Sequence, residues 1–208
     1  MHQAFYKLDS KKQRQIINAA LNEFAQKGPH DASTNAIVSA ANISKGTLFY
    51  YFKNKQSLYH YLIDYALEFV REEYLNKVDM SQQDIFNRIQ AMMIIKMKML
   101  KSHPTIINFL SLPILATTDN ELSDDLVTKI KQLEQQSYDV MTENIDYSYF
   151  KNDVNPTHAL QLIQFMITGY SESVKQHLTV DDITNNNYTY YFHEFEVYLA
   201  EMRKLFYK

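Results

Sequence analysis

Apolar positions recur three and four residues apart along most of the chain, the spacing of one face of an α-helix. Asp9-Ser10 opens the first periodic segment, with Ser10 and Gln13 spaced as a capping box; Ile17, Leu21 and Phe24 follow on one face, and Gly28-Pro29 predicts the stop. Ser33 can cap a short second helix with Ile37 and Ala41 on one side, running out at Asn42. A third helix is predicted from Ser44 to Phe52. Asn54 then caps a longer fourth, in which Leu58, Leu62, Ala66 and Phe69 recur at helical spacing as far as about Leu75. Further helices are expected at roughly 82–101, 105–116, 121–145, 156–178 and 188–206, the fourth of these opened by Asn155-Pro156, with "TVDDITNNN" as a connecting loop. The fold class expected is all-α. Three glycines and four prolines in 208 residues agree with it. No Pro- or Ser-rich linker lies near residue 60, so a small N-terminal domain (1–54) is expected to join the remainder (55–208) rigidly through the fourth helix.

Charge changes this picture. The net charge of −3 is an average over unlike parts. Residues 1–60 hold eight Lys/Arg against three Asp/Glu, a net of +5, whereas residues 61–208 hold thirteen against twenty-one, a net of −8. Such asymmetry suggests a phosphate-facing segment attached to something else. Cysteine is missing altogether, which removes thiolate catalysis and most structural zinc sites. The N-terminus has no signal-peptide core, and the most apolar run, "AMMIIKMKMLK", is too short to span a bilayer, so a cytoplasmic protein with no membrane association is expected. No phosphate-binding GxxxxGK[ST], HExxH or GxSxG occurs, and His60, His103, His158, His177 and His193 are scattered; neither an enzyme nor a metal or other cofactor is indicated.

The segment Ser33 to Phe52 reads as helix, tight turn, helix, the arrangement that lets a second helix enter the major groove of DNA. Projected at 100° per residue, Leu48 and Phe52 point into a core and Tyr50 points away from it, with Thr47 and Tyr51 on one flank and Gly46 and Phe49 on the other. One short helix cannot bury the whole triplet Phe49-Tyr50-Tyr51, so Tyr50 and Tyr51 are expected on the surface. Beside Lys45, Lys53 and Lys55, phenolic hydroxyls suit phosphate oxygens, while Lys45 can reach a guanine edge and Thr47 and Phe49 a thymine methyl. Gly46 lets the backbone approach closely. A plain helical hairpin lining a domain contact has the same pattern.

The run "IINAALNEFAQKG", followed by "STNAIVSAANISKGTLFYYFKNKQSLYHYLI", resembles the N-terminal DNA-binding domain of the TetR family of bacterial transcriptional regulators over residues 10 to 63. The resemblance implies that Thr34 contacts phosphate from the start of the second helix, that Ser44, Lys45, Gly46, Thr47, Phe49, Tyr50 and Tyr51 occupy the recognition helix and its cap, and that Lys55 contacts phosphate from the start of the fourth. Pro29 departs from the family pattern, and so does "AIVSAAN", where Asn42 stands at the turn in place of glycine; asparagine tolerates the left-handed conformation, so the turn is expected to survive.

The resemblance further implies a C-terminal ligand-binding domain that forms a homodimer through its last two helices. The two wide apolar faces at 156–178 and 188–206 are compatible with this, and equally with monomeric core packing. Phe86, Met92, Met93, Met97 and Phe109 could line an apolar pocket, closed by Tyr138, Met141, Phe165 and Tyr170, although methionines at helical spacing also build plain core. Together these readings predict a repressor that binds a palindromic double-stranded DNA operator as a dimer and releases it on binding a small, hydrophobic effector. The alternative is a helical small-molecule or lipid carrier that does not read DNA.

Overall fold

The computed structural model describes residues 3–116, 124–185 and 187–208. It is all-α, with one isolated antiparallel bridge, Phe150 to Tyr207, and no strand among the described residues. The chain divides into two compact units, one of Met1–Phe69 with His103–Leu126 and the other of Val70–Ser102 with Val127–Lys208.

In the first unit a short helix α1 (Gln3–Tyr6) precedes α2 (Ser10–Asp31). The cap of α2 is Asp9, whose carboxylate accepts from the amides of Lys11 (2.8 Å) and Lys12 (3.3 Å). The Ser10 and Gln13 box does not form, because Gln13 turns away to donate to the Leu8 carbonyl at 2.7 Å. Gly28, at φ +71°, breaks α2 as expected, yet Pro29 opens one more turn that reaches Asp31. Next come α3 (Thr34–Ala40), α4 (Lys45–Phe52) and most of α5 (Lys55–Glu73), whose residues from Val70 on belong to the second unit; the three are capped by Ser33, Ser44 and Asn54 in agreement with the sequence reading. Asn42 takes φ +47° at the turn between α3 and α4. Phe5, Ile16, Leu21, Phe24, Ile37, Leu48, Phe52 and Leu58 fill the core. The chain returns to this unit as α7 (Pro104–Ala116), which packs along α2 and sets Phe109 against Phe24 and Tyr59, ring centroids 6.5 and 5.6 Å apart.

The second unit contains α6 (Ile85–Ser102), most of α8 (Asp124–Thr142), α9 (Pro156–His177), α10 (Val180–Thr184) and α11 (Thr189–Phe206). The helix expected over 121–145 thus runs from Asp124 to Thr142 among the described residues; positions 121–123 lie outside them. Where a loop was expected, α10 forms on a capping box in which Thr179 and Asp182 each bond the other's backbone amide. Ile85, Phe86, Ile89, Met92, Met141, Phe150, Leu160, Ile163, Leu199 and Tyr207 form one continuous core.

Two polar fastenings cross that core. Arg88 is fully buried, and its guanidinium donates to the carbonyls of Met80 (3.3 Å), Gln82 (2.5 Å), Val140 (3.1 Å) and Met141 (3.5 Å) and to that of Glu143, tying the end of α8 to the loop before α6. Asp84, almost wholly buried, caps α6 through the amides of Phe86 and Asn87 and takes a two-pronged ion pair from Arg203 at 2.6 and 3.2 Å. No helix among the described residues is long and apolar enough to cross a membrane, and no cluster of acidic or histidine side chains there is arranged to hold a metal ion.

Candidate nucleic-acid interface

The helix-turn-helix is held from three sides. From α2, Lys12 reaches across to donate to the carbonyls of Ala41 (3.1 Å) and Asn42 (3.0 Å), satisfying the C-terminal end of α3 where the chain turns. Glu23 accepts from the amide of Ser33 at 2.8 Å, fixing the entry to α3. Behind α4, the fully buried ring of Phe5 meets Phe52 at 4.8 Å, Tyr51 at 5.7 Å and Tyr61 at 5.6 Å. These contacts leave one face of α4 open.

On that face Lys45, Gly46 and Tyr50 are exposed, Tyr50 to 72%. Thr47 and Phe49 are half-buried at its margins. The ammonium of Lys45 lies 5.9 Å from the centre of the Phe49 ring, a cation–π approach that holds the lysine beside the helix start. Ser44 accepts from the Thr47 amide at 3.0 Å, and its hydroxyl is 2.8 Å from that of Thr47, which restrains the threonine rotamer. A Cβ built on Gly46 would meet nothing nearer than the Ser44 hydroxyl at 3.7 Å. Packing within the unit therefore does not demand glycine there, and the open space lies on the outer side.

Tyr51 departs from its expected exposure. It is half-buried, its ring edge against Phe5 and 5.3 Å from Tyr50, so it backs Tyr50 as well as bordering the surface. Thr34 is half-buried at the first position of α3. Lys55 donates to the carbonyls of His30 (2.5 Å) and Ala32 (3.1 Å), which ties the start of α5 to the last turn of α2. Its role in this geometry is that of a helix end-cap. Sequence reasoning passed over Phe5 and Lys12; the pair Phe5-Tyr6 just ahead of the Asp9 cap was the available signal for the first, and nothing local announces the second.

Residues 16–62 match the model of the bacterial regulatory proteins of the tetR family. The N-terminal domain belongs to the TetR family. Solved structures extend the likeness in fold over the whole chain. A TetR family transcriptional regulator from Chloroflexus aurantiacus superposes with a TM-score of 0.60 at 18% identity, covering 99% of this chain and 98% of that one. The ketosteroid transcriptional regulator KstR2 of Mycobacterium tuberculosis gives 0.59 at 17%, covering 97% of each chain. AibR, solved in complex with isovaleryl coenzyme A and operator DNA, gives 0.57 at 16%, covering 84% of this chain and 95% of that one. A sequence comparison with curated proteins finds no match.

The residues proposed for an apolar pocket are divided between the two units of this fold, and one of them is exposed. Phe86, Met92, Tyr138 and Met141 belong to, or pack on, the continuous core of the second unit; Met93 is buried and Met97 half-buried on the same helix. Phe109 lies in the core of the first unit instead. Phe165 is 68% exposed, on the outer face of α9 with Leu162, because it sits two residues past the buried Ile163 and so on the other side of the helix. Tyr170 is half-buried, its hydroxyl 2.7 Å from the Tyr191 carbonyl and 2.9 Å from a Glu194 carboxylate oxygen; burial first, then Glu194, raises its pKa well above the ordinary phenol value.

Tyr50 provides a direct check of the exposed face. Its ring meets that of Tyr51 edge-on but is otherwise largely in solvent, so Tyr50→Ala is expected to move the thermal midpoint by no more than about 2 °C, since surface substitutions stay within roughly 0.5 kcal/mol. DNA affinity, read by fluorescence anisotropy, is expected to fall several-fold. A large drop in midpoint would instead place the ring in the core.

Proposed function

We propose that this chain is a ligand-responsive transcriptional repressor that binds a palindromic operator as a homodimer, with one recognition helix from each copy in successive major grooves. The observation that carries the proposal is the open face of α4, where Lys45, Gly46 and Tyr50 are presented outward by a helix braced from behind by Phe5 and at its turn by Lys12. Lys45 and Thr47 at the helix start read base edges; Thr34, Tyr50 and Tyr51 position the protein on phosphates. Lys55 serves the same phosphates while holding the end of α2. On this reading residues 1–54 bind DNA and 55–208 bind the effector and dimerise.

Dimerisation is supported by an apolar outer face on α9 and α11. Leu162, Phe165, Val197 and Leu205 are all exposed there, on two helices whose inner faces already fill the core. The effector on this reading is a small, hydrophobic molecule held in the apolar interior of the second unit; one structural neighbour, solved with isovaleryl coenzyme A and operator DNA together, supports small-molecule control without bearing on that hydrophobicity. Its binding favours a dimer whose recognition helices no longer match the helical repeat of about 34 Å, with α5 as the lever. Induction requires only that the two states bind the effector unequally; a hundredfold difference corresponds to about 2.7 kcal/mol. The protein acts in the cytoplasm, without catalysis.

Selection of binding sites from a random-sequence duplex pool tests the proposal. The expected product is a palindrome with half-sites about one helical turn apart, bound by gel shift in a salt-sensitive way. Lys45→Ala is expected to change the base preferred at one position per half-site, costing about 1–3 kcal/mol of discrimination. If selection enriches no sequence, the protein does not read DNA.

A further inference from the structure

Three non-glycine residues among those described have positive φ: Asn42, Asn144 and Lys53. Asparagine tolerates that region through its short polar side chain, but lysine has no such accommodation. Lys53 stands at φ +61° and ψ −52°, outside the left-handed helical basin altogether. The amide of Asn54 donates to the carbonyl of Phe52 at 2.7 Å, closing a three-residue γ-turn with Lys53 at its centre, in the positive-φ form that is rare and strained.

The surroundings enforce this conformation. Phe52 is fully buried just before the turn and Leu58 just after it, Asn54 caps α5 through the amide of Ser57 at 2.7 Å, and Lys55 is tied to the end of α2. Two residues must therefore carry the chain from α4 into α5, and the first takes the strain. Glycine would relieve it at no steric cost.

The position of the side chain suggests why a cation stands there. Lys53 is exposed and borders a groove of about 390 Å³ together with Tyr50, Tyr51, Ser57, Gln3 and Ala4. The groove runs beside the C-terminal end of α4, on the flank of the face proposed to meet bases. It is lined by Lys53, two tyrosines, a serine and a glutamine beside Ala4 and Phe52 and, among the described residues, by no carboxylate. That is the donor-rich chemistry a sugar–phosphate strand requires.

We propose that Lys53 grips a backbone phosphate of bound duplex DNA, and that its strained turn is retained because it delivers this cation to the groove beside α4. The proposal rests on the DNA-binding reading above and adds a positioning residue to it. Base choice stays with the start of α4; Lys53 fixes how the helix lies against the strand.

The test uses the full-length protein and the tightest duplex from the selection described above, titrated over a range of salt concentrations alongside thermal melting. Lys53→Gly is expected to melt no lower than the parent protein, yet to bind roughly three- to tenfold more weakly at about 0.1 M salt, with the slope of log K against log salt reduced by about 1.8, or about 0.9 for each copy of the dimer. Lys53→Gln, which keeps most of the length of the side chain without its charge, should show the same loss of slope, and Lys53→Arg should recover it. Undiminished slope in both neutral variants would overturn the proposal while leaving the DNA-binding reading intact. A lower melting point for Lys53→Gly would show that the turn is not strained and would overturn the reason given for it. Failure of the parent protein to enrich any duplex would instead remove the function on which this residue depends.

Discussion

Phe5→Ala is expected to cost about 3–5 kcal/mol, the range for truncating a buried phenylalanine. The side chain is wholly removed from solvent, and its ring meets those of Tyr51, Phe52 and Tyr61 within 5.7 Å. Small residues cannot refill that space without moving α4, because Phe52 and Tyr61 are themselves buried and in ring contact. Urea titration would give the free energy, and on a chain of this length each kcal/mol moves the thermal midpoint by about 2–4 °C. DNA affinity should fall in the same variant, since Tyr51 loses its backing. Tyr6→Ala is the control: that ring is largely exposed and its loss should cost well under 1 kcal/mol. Equal effects from the two substitutions would mean that α1 does not anchor the recognition helix.

Arg88→Met is expected to destabilise the second unit by roughly 3 kcal/mol. The aliphatic part of the side chain is replaced in kind, but the carbonyls of Met80, Gln82, Val140, Met141 and Glu143 lose a shared donor. Each buried acceptor left without a partner costs about 1–3 kcal/mol, offset in part where water can enter. Burial pulls the pKa of Arg88 below its ordinary value, against the opposing charges of Glu143 and Asp79. A guanidinium nonetheless stays protonated throughout the working range, so the fastening should be insensitive to pH between about 5 and 9. Lysine at this position would be a poor substitute, because a single ammonium cannot match a planar fork that faces carbonyls from two directions. Denaturant curves of Arg88→Met and Arg88→Lys would check both statements, and a loss below about 1 kcal/mol would show that the carbonyls find other donors.

How much of this was legible in advance depended on distance along the chain. Caps at Ser33, Ser44, Asn54 and Asn155 could be read because capping is a matter of three residues. Asn42 could be read as a left-handed turn, and Leu48, Phe52 and Tyr50 could be sorted by helical angle, for the same reason. The capping box of α10 was equally local, Thr179 with Asp182, but the polar run after it resembled a loop. Other features lay beyond any local rule. Lys12 meets its carbonyls 29 and 30 residues away, and α7 rejoins the first unit after α6 has packed in the second. Periodicity likewise marks Phe86, Met92, Met141 and Phe109 as inward-facing without saying which interior each one faces.

The two lysine end-caps bear on how the protein meets DNA in time. Lys12 and Lys55 each hold an ammonium against a pair of carbonyls at a helix C-terminus, the negative end of its dipole. Their fields are therefore partly cancelled at the source. Of the eight cations in residues 1–60, six are left to project potential outward. Encounter rates follow that outward field, whereas complex lifetime follows contacts made after docking. On the proposed DNA-binding reading, the caps thus keep α4 rigid, and the task of drawing DNA toward it falls to the other six.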